Sequence, residues 1–402
     1  MSTPTSAPLA PDDAPPIERW RMLLFAVTAG AMVANLYYLQ PLLAAVAAAF
    51  GREVTDAGYL VTFTQAGYGI GVLLIVPIGD VLDRRRLLSI MMAANAAALL
   101  AAAASPTFAM FCASSLLIGI TACATMMVIP YVASIAPART RGKSIAQAMT
   151  GLLLGILLAR TVSGLIAQAA GWRVVFVSAA AAVAVLAVLL RRAMKTDPPR
   201  GRLRYRQLIA SLAAVVRAHP ELGRRALYGM LALASFSMLW TGLTFLLSAP
   251  PFGYSEAQIG LFGLVGALGA VSANAAGRLA DRGHARLATT ALAIVLLASW
   301  GLLALGAHSL AAVIGGVFLL DVGVQGLQVT HQSVIYSIAP EARSRVTAVF
   351  ITSCFAGASL GSALASALYA AYGWAGLCVA GGLFPALLLA VFLAFTPRAR
   401  KA

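Results

Sequence analysis

The sequence predicts an all-α membrane protein: twelve transmembrane helices in two pseudo-symmetric six-helix bundles. Three observations carry this expectation. The 402 residues are 61% hydrophobic and only 10% charged, with a mean hydropathy of +0.88, more apolar side chain than a soluble domain of this length can bury. The apolar residues fall into stretches long enough to cross a bilayer, which takes roughly 20 residues at about 1.5 Å of rise each. The basic residues collect in alternate connections between those stretches.

Taken in order, residues 1–18 are rich in proline, serine and alanine and lack a basic start followed by an apolar core. A disordered tail is expected there rather than a cleaved signal peptide. The first bundle, 19–190, takes spans at 22–48, 57–78, 87–104, 108–135, 144–168 and 173–190. A polar stretch, 191–225, follows as a linker. In it Leu203, Leu208, Ile209, Leu212, Val215 and Val216 fall near helical spacing, with Arg202, Arg206 and Arg217 elsewhere. That pattern predicts an amphipathic helix lying on the membrane face. The second bundle, 226–397, takes spans at 226–248, 256–277, 286–306, 311–336, 346–370 and 374–396, and a basic tail, 398–402, ends the chain.

All but Arg52, Arg160 and Arg173 of the 29 lysines and arginines sit at the termini or in even-numbered connections. The positive-inside rule therefore puts both termini and the linker in the cytoplasm, with the protein in the cytoplasmic (inner) membrane. The net charge of +16 then faces anionic lipid head groups. Its spread over separate segments argues against a nucleic-acid partner. Cys112, Cys123, Cys354 and Cys378 all fall in or at the edges of spans, and none pairs at metal-ligand spacing. Buried thiols are expected, with no disulfide framework and no metal.

The chain also repeats itself. Gly79-x-x-x-Asp83-Arg84 returns as Gly277-x-x-x-Asp281-Arg282, Ala136-Pro137 as Ala339-Pro340, and Gly171-Trp172 as Gly373-Trp374, each about 200 residues on. Three landmarks in the same order indicate a six-plus-six duplication. Two look-alikes carry no chemistry. Gly142-Lys143-Ser144 lacks the first glycine and the strand of a phosphate loop. Gly357-x-Ser359-x-Gly361 lies inside an apolar span, where close helix packing is the better reading.

Two six-helix halves, a basic central loop and a Gly-x-x-x-Asp-Arg loop in each half resemble the major facilitator superfamily over essentially the whole chain after residue 20. The strings from Asn35 to Pro41 and from Pro340 to Arg345 are similar to a bacterial branch near the drug and sugar exporters. That branch usually has Asn at Leu39. In the first loop Arg85 and Arg86 stand where a later glycine is usual. The antiporter arginine four residues before Gly119 is Ser115 here, and Gly151-x-x-x-Gly155 is followed by Ile156 rather than proline. Both departures weaken the drug-antiporter label.

The resemblance implies a secondary transporter working by alternating access. Spans one, four, seven and ten would line its cavity. Span ten carries Asp321, Gln325, Gln328 and Gln332 on one helical face, with His331 at its inner end. Span seven offers Ser237, Thr241, Thr244 and Ser248. Candidate cavity residues also include Asn35, Tyr38 and Gln40 of span one, Gln65 of span two, and Thr121, Thr125 and Tyr131 of span four. Gly79, Asp83 and Arg84, with Gly277, Asp281 and Arg282, would form a cytoplasmic gate with Arg141, Lys143, Arg343 and Arg345. A carboxylate at a helix N-terminus is favourable by about 0.3–1 kcal/mol.

Arg160 in span five and Asp321 are the strongly ionisable residues deep in apolar spans, at matching depths. Each costs roughly 2.5–3.5 kcal/mol at mid-bilayer, so each needs a partner or a wet cavity. The leading expectation is proton-coupled export of a small organic solute, with Asp321 exchanging protons and Arg160 as its counter-charge. No cofactor is expected; a proton gradient supplies the energy. A small-molecule substrate and the lipid bilayer are the expected partners of a monomer. An uptake symporter, an uncoupled facilitator and a non-transporting sensor or scaffold are the alternatives. No catalytic constellation points to an enzyme.

Overall fold

The computed structural model describes residues 17–196, 205–272, 285–338 and 342–395. Most of the 1–18 tail, the 398–402 tail, Leu203, Arg202, the second gate loop with Gly277, Asp281 and Arg282, and Ala339-Pro340 lie outside the described residues. Among the described residues all regular secondary structure is helical. Spans two to six run Val54–Leu74, Arg84–Ala103, Phe108–Ala122 with Thr125–Ile135, Arg141–Ala170 and Trp172–Ala193. Spans seven to ten run Pro220–Ser248, Glu256–Ser272, Ala285–Ala304 and Leu310–Ile338, and Arg343–Phe395 holds the last two.

Nine of the described helices are long and apolar enough to cross a membrane, and the difference from twelve has three sources. Span eight is described only as far as Ser272. Spans eleven and twelve run into one another through Gly373, whose φ of 63° lies in the left-handed region that only glycine enters without a Cβ penalty. Gly171, at φ 88°, makes the same turn between spans five and six. The repeated Gly-Trp landmark is therefore a helix-to-helix corner.

The third source is a departure from the expected continuous span 22–48. Span one is a helix over Arg19–Ala34, a run of turns to Leu39, a 3-10 turn over Gln40–Leu42 and a short helix over Leu43–Ala49. Pro41 lacks an N–H and restricts the residue before it, so the helix cannot pass through this segment unbroken. Broken helices occur inside membranes only where protein covers the freed backbone.

Each half is tightened by glycines. A Cβ on Gly155 would run into Gly30, and one on Gly151 into Ala26, so spans one and five touch backbone to backbone. Spans seven and eleven, their counterparts in the second half, do the same: Gly357 against Met230 and Gly361 against Ala234. The halves meet along spans two and eleven and along spans five and eight. Tyr68 and Phe355 pack across the first seam, rings tilted by 43° with centroids 4.3 Å apart.

The linker helix forms at Tyr205–Ala218, burying Leu208, Leu212 and Val215 and exposing Arg206 and Arg217, as the spacing predicts. Tyr205 donates to the Leu74 carbonyl at 2.8 Å, pinning it to span two. Span six carries on to Ala193 and span seven begins at Pro220, so the connection is shorter than the expected 191–225. Arg191 and Arg192 thereby fall in a last helical turn, where cations are favourable. Arg224 and Arg225 pair with Glu221 at 2.8 and 2.7 Å. The cysteines are all free; Cys123, Cys354 and Cys378 are buried and Cys112 half-buried.

Gly361→Leu should overpack the contact between spans seven and eleven, at a cost of about 1–3 kcal/mol. Its melting midpoint in detergent should fall clearly below that of Gly142→Leu, where nothing lies within 4 Å. Equal melting of the two variants would refute the backbone contact.

Candidate functional site

Arg160, on span five, is 3% exposed. Its guanidinium carbon lies 3.8 Å from the ring centroid of Trp240, 4.7 Å from Tyr37 and 5.6 Å from Phe236. Its Nε donates to Gln40 Oε1 at 2.5 Å. The break in span one turns both Tyr37 and Gln40 toward it. Phe236 and Trp240 lie four residues apart on span seven, in the other half. A desolvated cation on an aromatic face gains about 2 kcal/mol or more, against the cost of taking the charge out of water.

Asp321, on span ten, is equally buried at 3% exposure. It fits against span eight where Gly266 and Gly269 leave room: a Cβ on Gly266 would sit 3.0 Å from the Trp240 ring and 3.1 Å from Asp321 Oδ2. Asp321 therefore lies at the edge of the indole whose face carries Arg160. The two charges feel one another electrostatically, and Tyr37 shares that field, yet they make no direct ion pair. The structure brings the two predicted charges into one cluster and places Trp240 against both. Arg160 Nη2 and Gln40 Nε2 are buried without a protein partner, which is costly in a folded interior, whereas the Trp240 N–H is directed to the Asp321 carboxylate.

The cluster lies at a seam closed by single hydrogen bonds. Thr244 donates to the Gln40 carbonyl at 2.5 Å, Ser362 to Gly58 at 3.1 Å and Ser359 to Thr62 at 3.2 Å. Thr161 donates to Gly260 at 2.9 Å, and Ser255 to Gln168 Oε1 at 3.2 Å. These bonds join the two halves in the parts of the spans remote from the linker. Toward the basic face, a cavity of about 930 Å³ runs between spans one and five, from Arg19 and Lys143 to Tyr38 and Val162. The halves are thus tied together on the far face, and among the described residues the cavity toward the basic face is lined by the first half.

Of the other expected cavity residues, Tyr38 lines this hollow and Gln65 and Thr125 are buried elsewhere in the first half. Asn35 donates to Asn95 Oδ1 at 2.7 Å, and Asn95 donates to Thr121 at 2.8 Å, a buried network across spans one, three and four. Thr241 shares a hydrogen bond of 3.0 Å with Ser362. Gln325 is half-buried, and Gln328 approaches the Cys354 sulfur at 3.8 Å. His331 is buried near the basic face, its Nδ1 3.3 Å from Arg225, away from Asp321. The Tyr131 hydroxyl accepts from the Lys195 amide at 3.1 Å and its ring meets Phe25, so it too lies apart from the charged cluster.

In the first gate loop, Asp83 caps span three by accepting from the Arg85 amide at 2.8 Å, and Arg84 Nε donates to the Gly79 carbonyl at 3.3 Å. Arg85 Nε reaches the Arg191 carbonyl at 2.9 Å. Arg141 opens span five, Lys143 lines the cavity mouth and Arg345 is half-buried. Nothing is described for the side chain of Arg343. Sequence reasoning passed over Tyr37, Phe236, Trp240 and Asn95. The available signal was the row Phe236, Trp240, Thr244, spaced by four on one face of span seven.

The Major Facilitator Superfamily model matches residues 23–331 and 252–402 of this chain. The chain belongs to the Major Facilitator Superfamily. Within it, the chain is 42% identical to the uncharacterized transporter YgaY of Escherichia coli O157:H7, over 92% of this chain and 94% of that one. It is 34% identical to the probable transporter SCO4007 of Streptomyces coelicolor, over 89% and 84% of the two chains. Among solved structures, a bacterial homolog of the human lysosomal transporter Spinster superposes with a TM-score of 0.74 at 13% identity, covering 94% of this chain and 95% of that one. The nucleoside transporter NupG superposes with a TM-score of 0.73 at 14% identity, covering 93% and 100%. These likenesses show the fold. This superfamily member is a multi-pass membrane transporter of a small-molecule substrate, not an enzyme.

Trp240→Leu should loosen the far face of the transporter, because it removes the ring that holds Arg160 across the seam. Spin labels at Arg52 and Ser255 should then show a broader and longer distance distribution. Trp240→Phe, which keeps an aromatic face, should stay near wild type; identical distributions in all three proteins would rule out the clamp.

Proposed function

We propose that this transporter moves a small organic solute by proton-coupled secondary active transport. It would alternate access across the cytoplasmic (inner) membrane, with both termini cytoplasmic and the gate loops on the inner side. Export in exchange for protons is the direction suggested by the sequence's likeness to the exporter branch. The observation that carries the proton role is the placing of Arg160 and Asp321. Among the described residues these are the buried Arg and Asp, and they gather on one tryptophan at the seam between halves. A carboxylate kept in such a place is costly unless its charge is used. As the halves rock, Asp321 would exchange neighbourhood between Arg160 and the cavity, taking up a proton on one side and releasing it on the other.

Uptake by proton cotransport is the second reading. The N–H donors left without acceptors around Arg160 favour it. An anion held there would bind together with a proton instead of competing with it.

In proteoliposomes, Asp321→Asn should abolish accumulation driven by a pH gradient while downhill exchange persists. Arg160→Gln alone should be damaging because it strands a buried carboxylate. The double variant should fold yet remain uncoupled; full pH-driven transport by it would remove Asp321 from the mechanism. The orientation is checked separately with single cysteines in a cysteine-free background. A cysteine at Ser255 should react with an impermeant reagent from outside intact cells, and one at Thr196 should not. Outside labelling at position 196 would invert the topology.

A further inference from the structure

We propose that Arg160 and Gln40 form the receptor for a carboxylate group, and that the transported solute is therefore a small organic anion. This deepens the second, cotransport reading and rests on it only for the role given to Asp321.

Arg160 Nη2 and Gln40 Nε2 are each buried with no acceptor in the protein, while the Trp240 N–H is directed to the Asp321 carboxylate. Gln40, Arg160 and Trp240 meet at a crevice walled by Pro41, Leu243 and Ile259 that has no room for a water molecule in this conformation. The free donors thus face a tight, largely apolar wall. A planar guanidinium with free N–H groups matches the two oxygens of a carboxylate, and the apolar wall suits a hydrocarbon body. A cationic solute would meet the charge of Arg160 in a desolvated site, at a large cost.

The pocket is shut in this conformation, and what shuts it is part of the far-face seam. The Thr244 hydroxyl donates to the Gln40 carbonyl, and Trp240 lies on the guanidinium. Both are span-seven residues closing on first-half groups. Withdrawal of span seven would release the Arg160 and Gln40 donors together, so access to them is tied to opening of the far face.

Asp321 is the protein's own competing carboxylate. The titratable groups around it are Arg160 of span five and Tyr37 of span one; span eight presents Gly266 and Gly269, and span seven Trp240. Charged, Asp321 engages the field of Arg160. Protonated, it leaves Arg160 to the carboxylate of the solute. When the solute departs, Asp321 gives its proton to the same side. Anion and proton load together and leave together.

The test is thermal melting of the purified full-length protein in detergent, with acetate, lactate or benzoate as probe. Benzamide and benzylammonium serve as uncharged and cationic controls, at mildly acidic and mildly alkaline pH. At least one monocarboxylate should raise the midpoint, more strongly at the acidic pH, and the controls should not. Arg160→Lys should weaken that probe roughly tenfold or more, because an ammonium cannot offer the planar fork. Gln40→Glu supplies an internal carboxylate to Arg160, so it should melt at or above the wild-type midpoint and lose the probe response. That variant decides the matter if Arg160→Lys fails to fold. In Asp321→Asn the probe should still bind, with its pH dependence gone. Failure of all three carboxylates, a matching response to benzylammonium, or an unchanged response in Gln40→Glu would overturn the anion site. A pH dependence that survives in Asp321→Asn would overturn the role of Asp321 while leaving the anion site standing.

Discussion

The arginine carried into the membrane interior sets terms that the surrounding structure has to meet. A guanidinium in hydrocarbon must be covered by groups that tolerate its charge, and no carboxylate touches it here. Three aromatic faces and one amide oxygen supply the cover, from span one and span seven. Because those spans belong to different halves, satisfying Arg160 also brings the halves together. Packing, closure and the placing of charge are consequences of one solvation problem.

Span one shows how the backbone answers it. Tyr37, in the turns after Ala34, and Gln40, in the 3-10 turn before Leu43, both reach Arg160 from this broken segment. The freed polar groups are then taken up nearby. Thr244 covers the Gln40 carbonyl, and Asn35 reaches the network of Asn95 and Thr121. Unwound helices of this kind are where transporters of this architecture hold charge and cargo.

Close glycine contacts occur both within and between the halves. Inside each half, glycines let helices touch backbone to backbone, a contact that allows little sliding. Between the halves the far-face seam combines glycine contacts of the same kind, Gly164 on the Glu256 backbone and Gly260 on the Arg160 backbone, with hydrogen bonds from serine and threonine, each worth about 0.5–1.5 kcal/mol net.

The span pattern, the duplication, the linker helix and the family were legible in the residues, because hydropathy and charge act locally and a bilayer penalises every exposed polar group. The two buried charges were legible for the same reason: Arg160 and Asp321 stand out against apolar neighbours. The Gly-Trp landmarks were visible as a repeat, but only the φ of Gly171 and Gly373 gave them a meaning as corners. The break in span one was not read from the residues, which were expected to span 22–48 unbroken through Pro41; its extent depended on which partners could absorb the freed carbonyls. That Arg160 and Asp321 meet at Trp240 instead of pairing was decided by tertiary packing alone. Residues on spans five, seven, eight and ten must converge for it, and Gly266 and Gly269 must make room. Sequence fixes what each residue wants; which neighbour provides it is settled only when the helices have packed.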